Sequence, residues 1–393
     1  VALNHPLTTK LAGFGTTIFA EMSALAIETG AINLGQGFPD TDGPAAVLDA
    51  AVDAIRSGVN QYPPGPGMPG LRQAIADHQQ RWYGIEVDPA NEVVVTAGAT
   101  EALAGALLGM LDVGDEVVVF EPMYDSYQAC IALAGARSVP VLLEPDPTGR
   151  YVFDPDELVG AVSARTKLIL LNTPHNPTGK VFTRDELELI ARVAIEHDLI
   201  VITDEVYEHL LFDGRQHVPM ATLPEMWERT LTISSGGKTF HTTGWKIGWM
   251  SGPAPLVTAA KTAKQFLTYV NGAPFQPAMA VGLALPDSYF LDLVSTLQTA
   301  RDHLVAGLRE AGFVAYEPEA TYFATVDIRP VDASGDGMAF CRSLPERAGV
   351  VGVPNEVFYA RPEHGRHLVR FACCKRLDVI DDAVARLVTG FAA

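Results

Sequence analysis

At 393 residues, 48% hydrophobic and 19% charged, the chain has a globular composition and enough length for two or three domains with large buried cores. Twenty-eight basic against 47 acidic residues leave a formal charge of −19, which argues against nucleic acid or anionic membrane as partners of the whole surface. No run reaches the roughly 20 apolar residues of a membrane span, Val1–Pro6 lacks a secretory pattern, and four cysteines without zinc or disulfide spacing fit a reducing cytoplasm.

Along the chain, the first forty residues lack strand alternation and are expected to pack on a smaller domain or on a partner subunit. Gly65-Pro66-Gly67-Met68-Pro69-Gly70 fits G-x-G-x-x-G, but no strand precedes it and its prolines remove donor N–H groups, so a dinucleotide reading fails. From Ala45 to Lys264, helical patterns alternate with β-branched runs at 92–96, 116–120, 167–171, 199–203 and 231–234. Nearly continuous apolar strands between helices predict a mainly parallel α/β sheet covered on both faces. Thr183-Arg184-Asp185-Glu186 reads as a capping box, followed by apolar Leu187, Ile190, Ala191 and Ala194 on one helical face. A long helix is predicted from Ser288 to about Glu310, ending at Gly312. Strands follow near 322–326, 350–353 and 367–371, then a closing helix from Asp378. Adjacent Cys373 and Cys374 read as small apolar filler in a buried strand. The expected organisation is an arm over 1–44 that is also part of the small domain, a large domain over 45–275, and a small α+β domain over 276–393.

Polar residues gather just past the predicted strand ends, where open α/β sheets bind ligands. Lys238 follows Leu231-Thr232-Ile233 among glycines and hydroxyls, a setting for an amine that forms a Schiff base with a phosphorylated aldehyde. The ring nitrogen of a pyridine cofactor stays protonated beside a buried carboxylate, and Asp204 is the candidate. Such a pair at ~4 Å and an effective dielectric of 20 interacts by roughly 4 kcal/mol, about three pKa units. A helix-capping aspartate is the plainer alternative. Tyr207 and Asn176 can donate to the ring oxygen, and Tyr124 can cover the ring face, although a lone aromatic there also suits a core. Gly98-Ala99-Thr100 opens a helix whose free N–H groups, with Ser235 and Lys246, suit the phosphate. Arg370 sits inside an apolar run, where a guanidinium is costly unless paired, and it suits a substrate carboxylate. There is no Walker loop, H-E-x-x-H or G-x-S-x-G, and no metal site is expected.

These segments resemble the class I/II, fold type I, pyridoxal-phosphate aminotransferases over almost the whole chain. The resemblance rests on Ser-x-Gly-Lys-Thr-Phe-x-x-Thr-Gly-Trp-Lys with Lys238 and Lys246, on Asn-x-Pro-x-Asn-Pro-Thr-Gly ending at Gly179, on Thr-Asp-Glu-Val-Tyr with Asp204 and Tyr207, and on the near-terminal Arg370. It is nearest to the kynurenine/glutamine and methionine aminotransferase branch. The segments 17–25, 65–67 and 273–277 are similar to bacterial N-succinyldiaminopimelate aminotransferases of lysine biosynthesis. The resemblance implies the fold type I PLP-transferase architecture, pyridoxal 5'-phosphate as cofactor, and a homodimer with shared sites. In that dimer Tyr62 would reach the partner's phosphate, Gly37 would offer backbone to the substrate carboxylate, and Phe19 would line the pocket. Lys246 replaces an arginine common in class I, and His241 replaces a small residue without an assigned role.

The expected activity is a cytoplasmic ping-pong transamination between an amino acid and a 2-oxo acid, with N-succinyl-LL-diaminopimelate and glutamate placed first. Kynurenine, glutamine or methionine comes second, and a β-lyase on sulfur amino acids uses the same cofactor site. A cofactor-binding regulator with this fold would carry a basic DNA-binding module, which the acidic charge disfavours.

Overall fold

The computed structural model describes residues 7–15 and 17–391, so the reading of Val1–Pro6 lies outside the described residues. The apolar runs form the middle of a seven-stranded sheet: β1 (Val93–Ala97), β2 (Glu116–Glu121), β3 (Arg137–Leu142), β4 (Thr166–Asn172), β5 (Ile200–Asp204), β6 (Thr230–Ser235) and β7 (Ile247–Ser251). Their order is β1-β7-β6-β5-β4-β2-β3. β2 to β6 run parallel, and β7 is antiparallel to both of its neighbours. Alternation within a strand supplies two cores. Val117 and Val119 face Leu103, Leu107, Ile131 and Val257 on one side, while Val118 and Phe120 face Leu187 and Ile190 on the other. A strand buried on both faces has no polar phase, which is why these runs read as continuous hydrophobics.

Two strands of this sheet were not expected. β3 is an edge strand whose Arg137, Ser138 and Pro140 break the apolar run, and the missing N–H of Pro140 is tolerated at an edge. β7 is buried throughout but contains Gly248 and directly follows the lysine-rich segment, which masked it. A Cβ on Gly248 would stand 2.5 Å from the carbonyl carbon of Gly98, so the glycine lets β7 pass against the start of the helix Gly98–Met110.

The remaining predictions differ in detail. Thr183 and Glu186 form both bonds of the capping box ahead of the helix Arg184–Glu196. The long helix runs Asp287–Glu310, and Gly312 follows with φ 93°. β8 (Val314–Tyr316), β9 (Phe323–Asp327), β10 (Val353–Pro354) and β11 (Leu368–Ala372) make an antiparallel sheet in the order β8-β9-β11-β10. The strand predicted over 350–353 splits at Gly352, where a Cβ would lie 2.9 Å from the Phe371 ring. Val350–Val351 instead pairs in parallel with Ile32–Asn33. Ile18, Met22, Ala26 and Leu34 share a core with Leu304, Phe340, Val350 and Phe371, so the N-terminal helix Ile18–Thr29 packs on the C-terminal part of the chain. The helix Phe275–Leu283 packs the other way, through Ala278 onto Val47 and Ala51 and through Met279 and Leu283 onto Leu71 and Ile75. Cys373 and Cys374 are free and buried. Among the described residues no single helix is long and apolar enough to cross a membrane.

Replacing Thr183 by alanine removes the hydroxyl that accepts from the Glu186 N–H and leaves the Glu186 bond to the residue-183 N–H in place. The expected loss is about 1 kcal/mol of stability, read as a lower urea midpoint at unchanged slope; an unmoved midpoint contradicts the assignment.

Candidate active site

The C-terminal ends of β4, β5 and β6 open into a cavity of about 380 Å³. Into it converge Lys238, Asp204, Tyr207, Asn176, Tyr124, Gly98, Ala99, Thr100, Ser235, Lys246, Gly37, Phe19 and Arg370. Of the predicted site residues only Tyr62 is missing from the lining. It is 83% exposed, with its ring 5.8 Å from that of Tyr269.

Asp204 ends β5 and pairs in register with Asn172 at the end of β4. Its carboxylate accepts a 2.7 Å hydrogen bond from the Tyr127 hydroxyl and a 3.4 Å bond from the Val206 N–H. Burial raises its pKa to about 6, outweighing those donors and the attraction of the nearby Lys238 ammonium. Asn172 donates to the Asp204 carbonyl at 2.8 Å and accepts from the Asn176 N–H at 2.7 Å, which fixes the following loop to the strand end. That loop carries cis peptides before Pro174 and Pro177.

Lys238 lies in the short helix Gly236–Thr239 directly after β6. Gly236 is required there, since a Cβ would overlap the Met279 sulfur. The Lys238 Nζ sits 5.8 Å from the ring centres of Tyr207 and Tyr322. Burial lowers its pKa to about 8, opposed by the nearby Cys374 and Asp204. Burial also pushes the Tyr207 phenol upward. Beneath the site, Ser234 and Tyr83 donate to Glu208 at 2.5 and 2.7 Å, tying the end of β6 to the turn that carries Tyr207.

At the far end the helix Gly98–Met110 begins without a capping side chain. Gly98 has φ 74°, and a Cβ there would lie 3.0 Å from the Lys246 Nζ. An uncapped helix start beside an ammonium is a ready anion site.

Arg370 enters from β11. Its Nη1 donates to the Asn176 Oδ1 at 2.8 Å and its Nη2 to the Gly35 carbonyl at 3.0 Å, while Nε has no partner. The guanidinium lies 3.9 Å from the Phe323 ring centre, with Phe358 at 4.9 Å and Phe19 at 5.4 Å. Burial lowers its pKa to about 10. Gly37 has no room for a side chain, because a Cβ would stand 2.4 Å from the Phe323 ring, and its carbonyl accepts from the Tyr322 hydroxyl at 2.7 Å.

Several lining residues escaped the sequence reading. Tyr127 is one helical turn beyond Tyr124, a spacing that could have flagged it. Phe38, Phe323 and Gln36 carried no signal distinguishing them from core or loop. His241 does not line the cavity; its Nδ1 is 2.8 Å from the Thr41 hydroxyl and its φ is 51°.

A buried acid, a buried lysine and an anion site spaced along one cavity at the strand ends of an α/β sheet define a cofactor-dependent transferase site. The chain belongs to the family "Aminotransferase class I and II", which matches residues 29–387. It is 51% identical over 387 residues to "Probable N-succinyldiaminopimelate aminotransferase DapC" of Mycobacterium tuberculosis, covering 96% of this chain and 97% of the relative. It is 39% identical to the methionine aminotransferase of Escherichia coli (98% and 99% covered) and 37% identical to human kynurenine–oxoglutarate transaminase 1 (93% and 94%). The solved structure of N-succinyldiaminopimelate aminotransferase from Mycobacterium tuberculosis superposes with a TM-score of 0.95 at 50% identity, covering 98% of this chain and all of that one.

The family works with pyridoxal 5'-phosphate, and the residues present fit that group. Asp204 is a buried acid whose hydrogen-bond donors, Tyr127 and Val206, are neutral, Lys246 lies beside the uncapped helix start, and the Lys238 amine lies on the same cavity.

The lowered pKa of Lys238 has a kinetic consequence. Only the unprotonated amine attacks an aldehyde, so cofactor uptake by apo-protein is expected to rise with pH up to about 8 and then level. Asp204, at about 6, is already ionised over most of that range. Rapid-mixing absorbance from pH 7 to 10 reads this directly, and a rate still climbing through pH 10 contradicts it.

Proposed function

We propose that this aminotransferase moves the amino group of N-succinyl-LL-diaminopimelate to 2-oxoglutarate in a ping-pong cycle. Bound pyridoxal phosphate supplies an electron-accepting ring that stabilises negative charge at the substrate α-carbon. Asp204 would hold the positive ring nitrogen, Tyr207 and Asn176 would bond the ring oxygen, and Tyr124 would cover the ring. Ser235, Thr100, Lys246 and the backbone from Gly98 would hold the phosphate. The Lys238 Nζ would take the α-proton and return it to the cofactor carbon on the far side of the shared nitrogen. Arg370 grips the α-carboxylate, with the Gly37 backbone beside it.

One observation carries this reading. Arg370 is 1% exposed, stacked on Phe323 and bonded only to neutral oxygens, an arrangement that awaits an external carboxylate. The substrate assignment is supported by the 51%-identical relative's name. The aromatic wall of Phe19, Phe38 and Phe323 suits the long methylene chain of an acylated diamino acid. The same wall favours kynurenine or methionine as a second reading.

A homodimer is part of the proposal, supported by Tyr62, Phe266, Leu267 and Tyr269, apolar side chains 45–83% exposed. A cytoplasmic site of action is supported by four free cysteines. The described residues up to 44 are assigned to the arm and the small domain, and the boundary between the large and small domains is drawn at the turn before Asp287 rather than at 275, given where the helix Phe275–Leu283 packs.

Purified protein is expected to show a visible absorbance band that glutamate bleaches. Lys238→Ala should lower kcat by 10²–10⁴-fold or more; a Lys238→Ala variant that transaminates normally overturns the mechanism. In a screen of amino donors against 2-oxoglutarate, N-succinyl-LL-diaminopimelate should give the highest kcat/KM. Preference for kynurenine or methionine moves the assignment to the second reading.

A further inference from the structure

Asn271 lies outside the cavity, on the segment between the helices Ala254–Lys264 and Phe275–Leu283. Its side-chain Nδ2 donates to two backbone carbonyls, Thr96 at 3.0 Å and Lys246 at 3.1 Å. Those carbonyls belong to the two stretches that build the anion end of the site. Thr96 is two residues before Gly98, and Lys246 directly precedes β7. Lys246 is held at φ 54°, a left-handed conformation that a lysine adopts only under external restraint.

Asn271 is itself anchored. Gln276 donates to its backbone carbonyl at 2.7 Å and accepts from the Met68 N–H at 2.8 Å. Upstream, Lys264 donates to the Tyr269 carbonyl at 2.7 Å, and Glu101, in the first turn of the helix that starts at Gly98, accepts from the Thr268 N–H at 3.2 Å. One amide thus joins the backbone of the cavity's ammonium to the backbone leading into its helix start, from a segment fixed at both ends.

We propose that Asn271 is a positioning residue for the cofactor phosphate, acting through Lys246 and the start of the helix Gly98–Met110 without touching the ligand. This rests on the pyridoxal-phosphate reading above. The two donated hydrogen bonds keep the Lys246 ammonium beside the first-turn N–H groups, so an anion meets both at once. Losing them frees Lys246 to leave the left-handed region and carry its ammonium away.

The test compares two probes, pyridoxal 5'-phosphate and pyridoxal, which differ only at the end that Asn271 serves. Dissociation constants are measured by absorbance titration of apo-protein. In Asn271→Ala, binding of the phosphate ester is expected to weaken roughly tenfold to a hundredfold, while binding of pyridoxal stays within about twofold of wild type. Asn271→Asp keeps the volume but has no N–H donor, and it should behave like the alanine variant. Equal weakening of both probes would make the role one of general structure and overturn the proposal, as would wild-type affinity for the ester in either variant. Should a variant fail to fold, Gln276→Glu serves in its place. It replaces the donor to the Asn271 backbone and is expected to weaken the ester selectively by a smaller factor; no selectivity there counts against the proposal. Wild-type protein that takes up neither probe defeats the cofactor reading instead, a separate and recognisable outcome.

Discussion

The site depends on three ionisable groups taken out of water, with only non-contacting charges to compensate them. Asp204, Lys238 and Arg370 are each driven by burial toward the neutral form, to about 6, 8 and 10. Each is held by neutral oxygens, N–H groups or ring faces that fix its direction but do not cancel its charge. Such a buried charge strengthens binding of a ligand group that compensates it. A protonated ring nitrogen, an aldehyde carbon and a substrate carboxylate are the matching partners, in that order.

The sheet makes this cost bearable. Adjacent parallel strands end at one edge, so Asn172, Asp204 and Ser235 are neighbours in space although more than sixty residues separate the first from the last. The backbone around them is bonded into β4, β5 and β6 and covered by two apolar cores. Strands position the groups proposed for the cofactor, while Arg370, Phe323 and Phe19 arrive on elements of the other core. The proposed substrate contacts therefore lie where the two cores meet.

How much was legible in the chain follows from how local each signal is. The β2, β4, β5 and β6 runs were readable because strands buried on both faces lose all polar phase. β3 and β7 were not, since an edge strand tolerates Arg137 and Pro140, and β7 is short and interrupted by Gly248. Lys238, Asp204, Asn176 and Arg370 could be named because their types are chemically distinctive against apolar or glycine-rich surroundings. Phe323 and Asn271 could not, because a phenylalanine in a strand and an asparagine in a loop look the same wherever they point, and Tyr127 offered only its one-turn spacing from Tyr124.

The sequence by itself named the candidate reacting groups and determined the class of fold, through residue chemistry and the period of its apolar residues, both of which act over a few positions. Tertiary structure alone decided which neutral atoms hold those groups, that the helix Phe275–Leu283 packs with the N-terminal helices, and that residues 350–353 divide between two sheets. Those outcomes turn on close approach, a Phe371 ring against Gly352 or the Met279 sulfur against Gly236. Such contacts join positions far apart in the chain, and no local pattern encodes them.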